Sequence, residues 1–297
     1  MEFDKRYLLH GFLPAFLSAC CFAVMTTCIK IASSELPAPQ LVFFRSVVGL
    51  LIILPIVLPR GIQFIKTPIL HLHMFRGFIS LCTMTCFFYA IGHVGLSEST
   101  LLNAMSPLFV GLLAIPVLKE KISLRTVSAL IIGFIGVSFI LKPGTALFTF
   151  AALIGLCSGF FIGCAKILVR YMASTEPVMR TVFYFSIFST LYSGLLMIWL
   201  WQTPGLFEIS IMILADISAT GGQILLTYAF THSEAATVAP YTYVTVVMAT
   251  LIGWIIWNEL PDIGSSIGAV LIIGSCLSLS IQGKLPNPWK LKPPDKS

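Results

Sequence analysis

Residues 212–228 read MILADISATGGQILLTY, and Asp216 is a carboxylate set in a run otherwise suited to lipid. An ionised side chain near the centre of a bilayer costs about 2.5–3.5 kcal/mol on insertion scales. Glu208 marks the start of this run, and at 1.5 Å per residue Asp216 lies about 12 Å deeper. Two uses would justify the cost. Asp216 binds a cationic group or a coupling proton, or it serves as the structural partner of Arg45 or Lys30. Gln223 follows Asp216 by two helical turns and shares nearly the same face. Gly221 and Gly222 beside it are read as helix-packing positions. Arg45, after LVFF, is a second charge inside an apolar run. It attracts an anionic group such as a substrate carboxylate, or it snorkels to the headgroups.

Two proline-broken stretches add polar candidates. APYTYVT carries Tyr241 and Tyr243 beside Pro240, whose missing N–H frees a carbonyl about one turn earlier, near Ala236. Freed backbone groups in a membrane are tolerated where a cavity or a neighbour satisfies them. The tyrosines are two apart, about 200° around a helix, so both do not face one cavity squarely. They offer aromatic walls and hydroxyls to a cation, or they pack between helices. Asn103, Ser106 and Pro107 make a comparable polar break, and Tyr89 lies near one end of its own segment.

Other chemistries find no residues. The chain has no Gly-x-Ser-x-Gly, no His-Glu-x-x-His and no intramembrane pair of aspartates, so it is not read as an enzyme. It has no nucleotide-binding loop and no evident channel filter. The five histidines make no metal set, and the eight cysteines fall inside apolar runs without a Cys-x-x-Cys pattern, as small packing residues. No cofactor or metal is expected.

The elements that must position these residues are membrane helices. Of 297 residues, 57% are hydrophobic and 10% charged, a balance foreign to soluble domains. Ten apolar segments are long enough to span, over about 8–32, 38–58, 72–94, 98–118, 124–142, 149–170, 178–201, 208–230, 234–257 and 263–282. The first continues too far for a signal peptide and reads as a retained helix. The net charge of +6 lies in short clusters between apolar runs, which points to membrane orientation and not to nucleic acid. With the N-terminus inside, all of the 18 basic residues except Lys30, Arg45 and Lys142 fall on the inner side. Both termini are then cytoplasmic. Lys30 and Lys166, at opposite ends of their helices, are expected to snorkel, and Trp199, Trp201, Trp254 and Trp257 to form an interfacial belt.

The chain also repeats itself. Cys21, Cys28, Lys30 and Ile31 match Cys157, Cys164, Lys166 and Ile167 at one constant offset. At a second, nearby offset YAIGH at 89–93 matches YAFTH at 228–232, and that offset also pairs Glu120 with Glu259. Five segments per half is odd, so the second half runs through the membrane in the opposite sense. Inverted repeats of this kind favour alternating access around a central site. The units are 1–142, 143–283 and a basic, Pro-rich tail over 284–297. Glu120 and Glu259 are read as capping or orienting the gate hairpins.

FFRSVVGLLIILP, RGFISLCTMTCFFYAI, SPLFVGLLAIPVLKEKIS and EAATVAPYTYVTVVMATLIGWIIWNELPD resemble the drug/metabolite transporter superfamily of EamA type over nearly the whole chain. The resemblance implies an all-α integral membrane carrier of ten helices in two inverted five-helix repeats. It implies a cavity lined by helices 1, 3, 4, 6, 8 and 9, gated by the 3–4 and 8–9 hairpins. ATVAPYTY and NELPD are similar to the branch of S-adenosylmethionine uptake carriers of intracellular bacteria. The expectation is a multi-pass carrier of the bacterial inner membrane for a small polar, cationic or zwitterionic metabolite. A drug or amino-acid exporter, or a lipid flippase, is the alternative. Its expected site is Asp216, Tyr241, Tyr243, Asn103, Gln223, Tyr89 and Arg45.

Overall fold

A computed structural model describes residues 13–118, 124–141, 149–172, 175–232 and 243–282. The described regular structure is helical throughout. We number the helices α1 (Leu13–Ala32), α2 (Ala38–Val57), α3 (Leu70–His93), α4 (Leu96–Asn103), α5 (Ser106–Leu118) and α6 (Leu124–Leu141). The second half contributes α7 (Phe150–Met172), α8 (Val178–Leu200), α9 (Leu206–His232), α10 (Val244–Trp257) and α11 (Ile263–Gln282). A 3-10 turn (Leu58–Arg60) and a one-turn helix (Ile62–Ile65) occupy the stretch expected as a loop before α3.

Among the described residues six helical stretches are long and apolar enough to cross a bilayer: Leu13–Ala32, Ala38–Arg60, Leu70–His93, Phe150–Val169, Met179–Leu200 and Leu206–Leu226. The other expected segments hold shorter or broken apolar helices. Helices suit this solvent because each satisfies its own backbone hydrogen bonds. Their burial pattern is that of a bundle in lipid. On α9, Ala215 and Ala219 are buried, whereas Ile213, Ile217 and Ile224 on the opposite side are exposed. Water would not tolerate that arrangement, but hydrocarbon does.

Small residues set the helix approaches. Ser18 Oγ on α1 donates to the Gly222 carbonyl on α9 at 2.7 Å. A Cβ on Gly222 would lie 3.1 Å from that of Cys21. Gly222 therefore packs helices, as its sequence context suggested. The described cysteines are free thiols.

The packing pairs exchange between halves. α1 packs on α9 as α7 packs on α3, α8 meets α3 as α2 meets α9, and α10 meets α1 as α5 meets α7. α2–α8 and α6–α11 are pairs that map onto themselves.

The fourth expected segment is broken in two, where Pro107 predicts it. α4 ends at Asn103, and α5 restarts at Ser106 with Pro107 one residue in. α7 closes on this break through a glycine. A Cβ on Gly159 would stand 2.6 Å from the Leu102 carbonyl oxygen. Backbone cannot yield as a flexible side chain can, so Gly159→Ala is expected to cost about 1–3 kcal/mol. A melting curve of the purified variant checks this, and an unchanged curve would show that α7 can draw back freely.

Candidate functional site

Asp216 sits ten residues into α9 and is 3% exposed. Its Oδ2 is buried, and among the described residues it has no hydrogen-bond partner. α9 presents it on the same buried stripe as Met212, Ala215 and Ala219, facing α1. Arg45 comes from α2, which packs on both α8 and α9. Its Nη1 donates to the Met25 thioether on α1 at 2.7 Å. Arg45 and Asp216 are near enough to interact electrostatically. No ion pair within 4.0 Å joins them. Arg45 thus turns inward to α1, neither reaching the headgroups nor closing on Asp216.

The other expected site residues lie elsewhere. Asn103, at the end of α4, donates from Nδ2 to Ser158 Oγ on α7 at 3.1 Å. Ser158 in turn donates to the Gly155 carbonyl. Tyr243 is buried at the start of α10, in a cluster with Leu102, Met105, Leu108 and Ile272. Asp216's neighbours belong to a different cluster, around Met25, Phe88 and Ala215. Tyr89 stacks on His93 with ring centroids 4.0 Å apart. Gln223 is exposed, although two turns from buried Asp216. Tyr241 and Glu120 lie outside the described residues. The structure therefore places Arg45 and Asp216 on packed helices, α2 and α9, and leaves Asn103 and Tyr243 apart from them, Asn103 at the break between α4 and α5 and Tyr243 in the apolar cluster beside it.

Both lysines expected to snorkel are engaged within the bundle instead. Lys30, at the end of α1, makes an ion pair with both carboxylate oxygens of Glu259, just beyond α10. It also lies 4.8 Å from the centroid of the Trp257 ring. Trp257 was expected only as an interfacial anchor. Glu259 additionally accepts the Leu96 N–H at 3.0 Å and so caps the start of α4. Asn258 makes this possible. Its left-handed backbone (φ 56°) ends α10 and turns Glu259 back. Ser97 on α4 and Thr250 on α10 share a hydrogen bond below the pair. One carboxylate thus ties α1, α4 and α10 together at one end. At the α4–α5 break, Lys166 of α7 donates to Ser106 Oγ at 2.7 Å. Snorkelling loses in both cases because an acceptor lies within reach, which periodicity does not reveal.

Glu259→Gln is expected to loosen that end by removing the charge partner of Lys30. Lys30 is well buried and Glu259 about one-third exposed, so the pair is only partly screened. Thiol labelling of Ser97→Cys, resolved by mass from the native cysteines, should quicken about 5–10-fold. Unchanged labelling would mean that the α4–α10 packing closes this end without the Glu259 charge.

Sequence comparison matches the EamA-like transporter family twice, over residues 9–142 and 149–281. The chain belongs to the EamA-like transporter family. It is 33% identical over 275 residues to the pseudopaline exporter CntI of Pseudomonas aeruginosa, covering 92% of this chain and 96% of that protein. It is 27% identical over 273 residues to the S-adenosylmethionine uptake transporter of Rickettsia prowazekii, covering 92% of each. A solved crystal structure shares the fold, with a TM-score of 0.62 at 16% identity over 91% of this chain and 96% of that one. The chain is a transporter of the drug/metabolite superfamily, with a small-molecule substrate and a lipid environment. It is a multi-pass protein of the inner membrane.

One group of residues escaped sequence reading entirely. Glu176, before α8, has a fully buried side chain. It accepts from Thr67 Oγ1 and from Arg180 Nη1, and His73 Nε2 of α3 lies 3.6 Å away. His73 stacks on Tyr184 at 4.7 Å. The signal was slight: one acid before Pro177 and one arginine a turn later.

Proposed function

We propose that this chain is a secondary carrier with ten helices in two inverted five-helix repeats. It moves a small polar metabolite across the bacterial inner membrane by alternating access, with both termini in the cytoplasm. The two family matches over 9–142 and 149–281 support the repeat, as do the packing pairs that exchange between halves. The substrate is cationic or zwitterionic, and S-adenosylmethionine is a candidate. Relatives named for S-adenosylmethionine uptake and pseudopaline export leave direction open between import and export.

The observation that carries this reading is Asp216, a buried carboxylate in a spanning helix whose Oδ2 has no hydrogen-bond donor among the described residues. A group that costs stability, and whose buried oxygen finds no donor among the described residues, is explained by what visits it. Asp216 binds the cationic part of the substrate or carries a coupling proton. Alternation is served by the tie of Glu259 to α1 and α4, which closes one end and must open in the other state. In sequence, Lys166 and Glu120 are the counterparts of Lys30 and Glu259 at the two repeat offsets.

The test is uptake of labelled S-adenosylmethionine, methionine, spermidine and choline into vesicles holding the purified full chain. Time-dependent accumulation of a cationic or zwitterionic solute over empty vesicles is the expected result. Accumulation of none of them, with translocation of a labelled phospholipid instead, would replace the metabolite carrier by a flippase.

A further inference from the structure

We propose that Arg45 and Asp216 form one dipolar subsite for an α-amino-acid headgroup, with the substrate carboxylate on Arg45 and its ammonium on Asp216. This rests on the carrier reading above and narrows its substrate to zwitterions that carry an amino-acid end.

The two charges are opposite, Asp216 buried and Arg45 half-buried, and they stand on helices that pack on one another and on α1, to which Arg45 reaches through Met25. In a low-dielectric setting such charges attract strongly, and side chains this long would ordinarily close into a salt bridge. They do not: no approach within 4.0 Å joins them. Among the described residues Asp216 Oδ2 finds no donor, and Arg45 finds only the Met25 thioether, a weak acceptor for a guanidinium with five N–H groups. An arginine and an aspartate held apart and underbonded are a mould for a ligand bearing both complementary charges. In an α-amino acid the ammonium and carboxylate share one carbon, so their partners must stand a few ångströms apart and not touch. A guanidinium fork fits a carboxylate with two parallel bonds.

Depth agrees with this. Arg45 lies seven residues into α2, Met25 seven residues before the end of α1, and Asp216 ten residues into α9. At 1.5 Å per residue all three sit about 10–15 Å from the Glu259 end. Ser46 on α2 and Thr85 on α3 fall in the same layer, and both hydroxyls are buried without a hydrogen-bond partner. The helices that carry them pack on one another. A simple cation would leave Arg45 unanswered and would be repelled by it.

The experiment measures binding to the purified full chain in nanodiscs. Its probes are S-adenosylmethionine, methionine and histidine, each against its decarboxylated counterpart. At least one amino-acid probe should bind, with its decarboxylated counterpart at least 10-fold weaker. Arg45→Gln should erase that preference, Arg45→Lys should keep part of it, and Asp216→Asn should lose binding of both forms. The double variant Arg45→Gln/Asp216→Asn removes the charges as a pair and guards against misfolding of the singles. It should remain unable to bind. Recovery of binding in the double variant would mean that the charges serve only each other, which overturns the proposal. Equal binding of a probe and its decarboxylated counterpart overturns it too. So does failure of every amino-acid probe, and transport of choline or spermidine in the vesicle assay would then leave the carrier reading standing.

Discussion

Asp216→Asn is expected to lower uptake of the cationic or zwitterionic substrate by about 10–100-fold, while the protein folds as well as before or better. The two halves of this result have separate causes. Charge-assisted hydrogen bonds are worth about 1.5–3 kcal/mol, so removing the one aimed at the substrate ammonium costs that much affinity. Asparagine keeps the shape, and its amide still offers an oxygen, so loss beyond this range would point to a coupling proton as well. The stability half follows from where Asp216 sits. It is buried, and its Oδ2 receives no hydrogen bond among the described residues, so the folded state gains little from its charge. A neutral amide relieves a desolvation cost of about 2.5–3.5 kcal/mol on insertion scales. Groups kept for function often trade stability in this way. Vesicle uptake and a detergent melting curve, taken on one preparation, check both halves. A fall in melting temperature that parallels the fall in uptake would make Asp216 a structural counter-ion of Arg45.

The helical bundle was legible because its solvent imposes one rule along the whole chain. Apolar runs of spanning length mark α1, α2, α3, α7, α8 and α9 in both readings. The break at Asn103–Ser106 was equally legible, because Pro107 removes a donor wherever it stands. Side-chain partners were not. Lys30 and Glu259 are far apart in sequence, and each alone has a sufficient local explanation, snorkelling for one and capping for the other. The repeat alignment did hold the clue, since it aligns Lys30 with Lys166 and Glu259 with Glu120. Two lysines and two acids at matched positions are what paired closures at opposite ends require. Gln223 was not placed beside Asp216 for a different reason. Two turns of helix only nearly preserve its angle, and although α9 still meets α1 at Gly222, the next residue, Gln223, lies off that contact. Asp216 is buried and Gln223 is not. The site residues split for the same reason. Polarity in a spanning segment identifies candidates one at a time, whereas the partition into the Asp216 and Tyr243 clusters is decided by tertiary packing.

Glu176→Ala is expected to be the most destabilising single change considered, at about 3–5 kcal/mol, the usual cost of orphaning a buried charge pair. The arithmetic rests on what Glu176 leaves behind. Arg180 would keep its Nε bond to the Phe64 carbonyl at 2.6 Å but lose the acceptor of Nη1 at 3.0 Å. His73, fully buried, would lose the carboxylate 3.6 Å from its Nε2. Thr67 Oγ1 would lose its acceptor, and with it the tie between the segment after α2 and the start of α8. That segment is held from two further points, by Tyr184 Oη donating to the Ile65 carbonyl at 2.6 Å and by the Arg180 ring contact with Phe64. These remaining ties determine how the damage shows. They should keep the helices inserted, so the loss should read as a melting temperature lower by roughly 10 °C, with expression retained. Glu176→Gln should lose less, because an amide oxygen still accepts from Thr67 or Arg180. It lacks the charge that offsets burying a guanidinium, so it cannot recover fully. The order wild type, Gln, Ala is therefore the signature of a buried charge network. Equal melting of all three would show that Arg180 and His73 are satisfied without the carboxylate, and that the knot at this end of α3 and α8 is held by its backbone carbonyls alone.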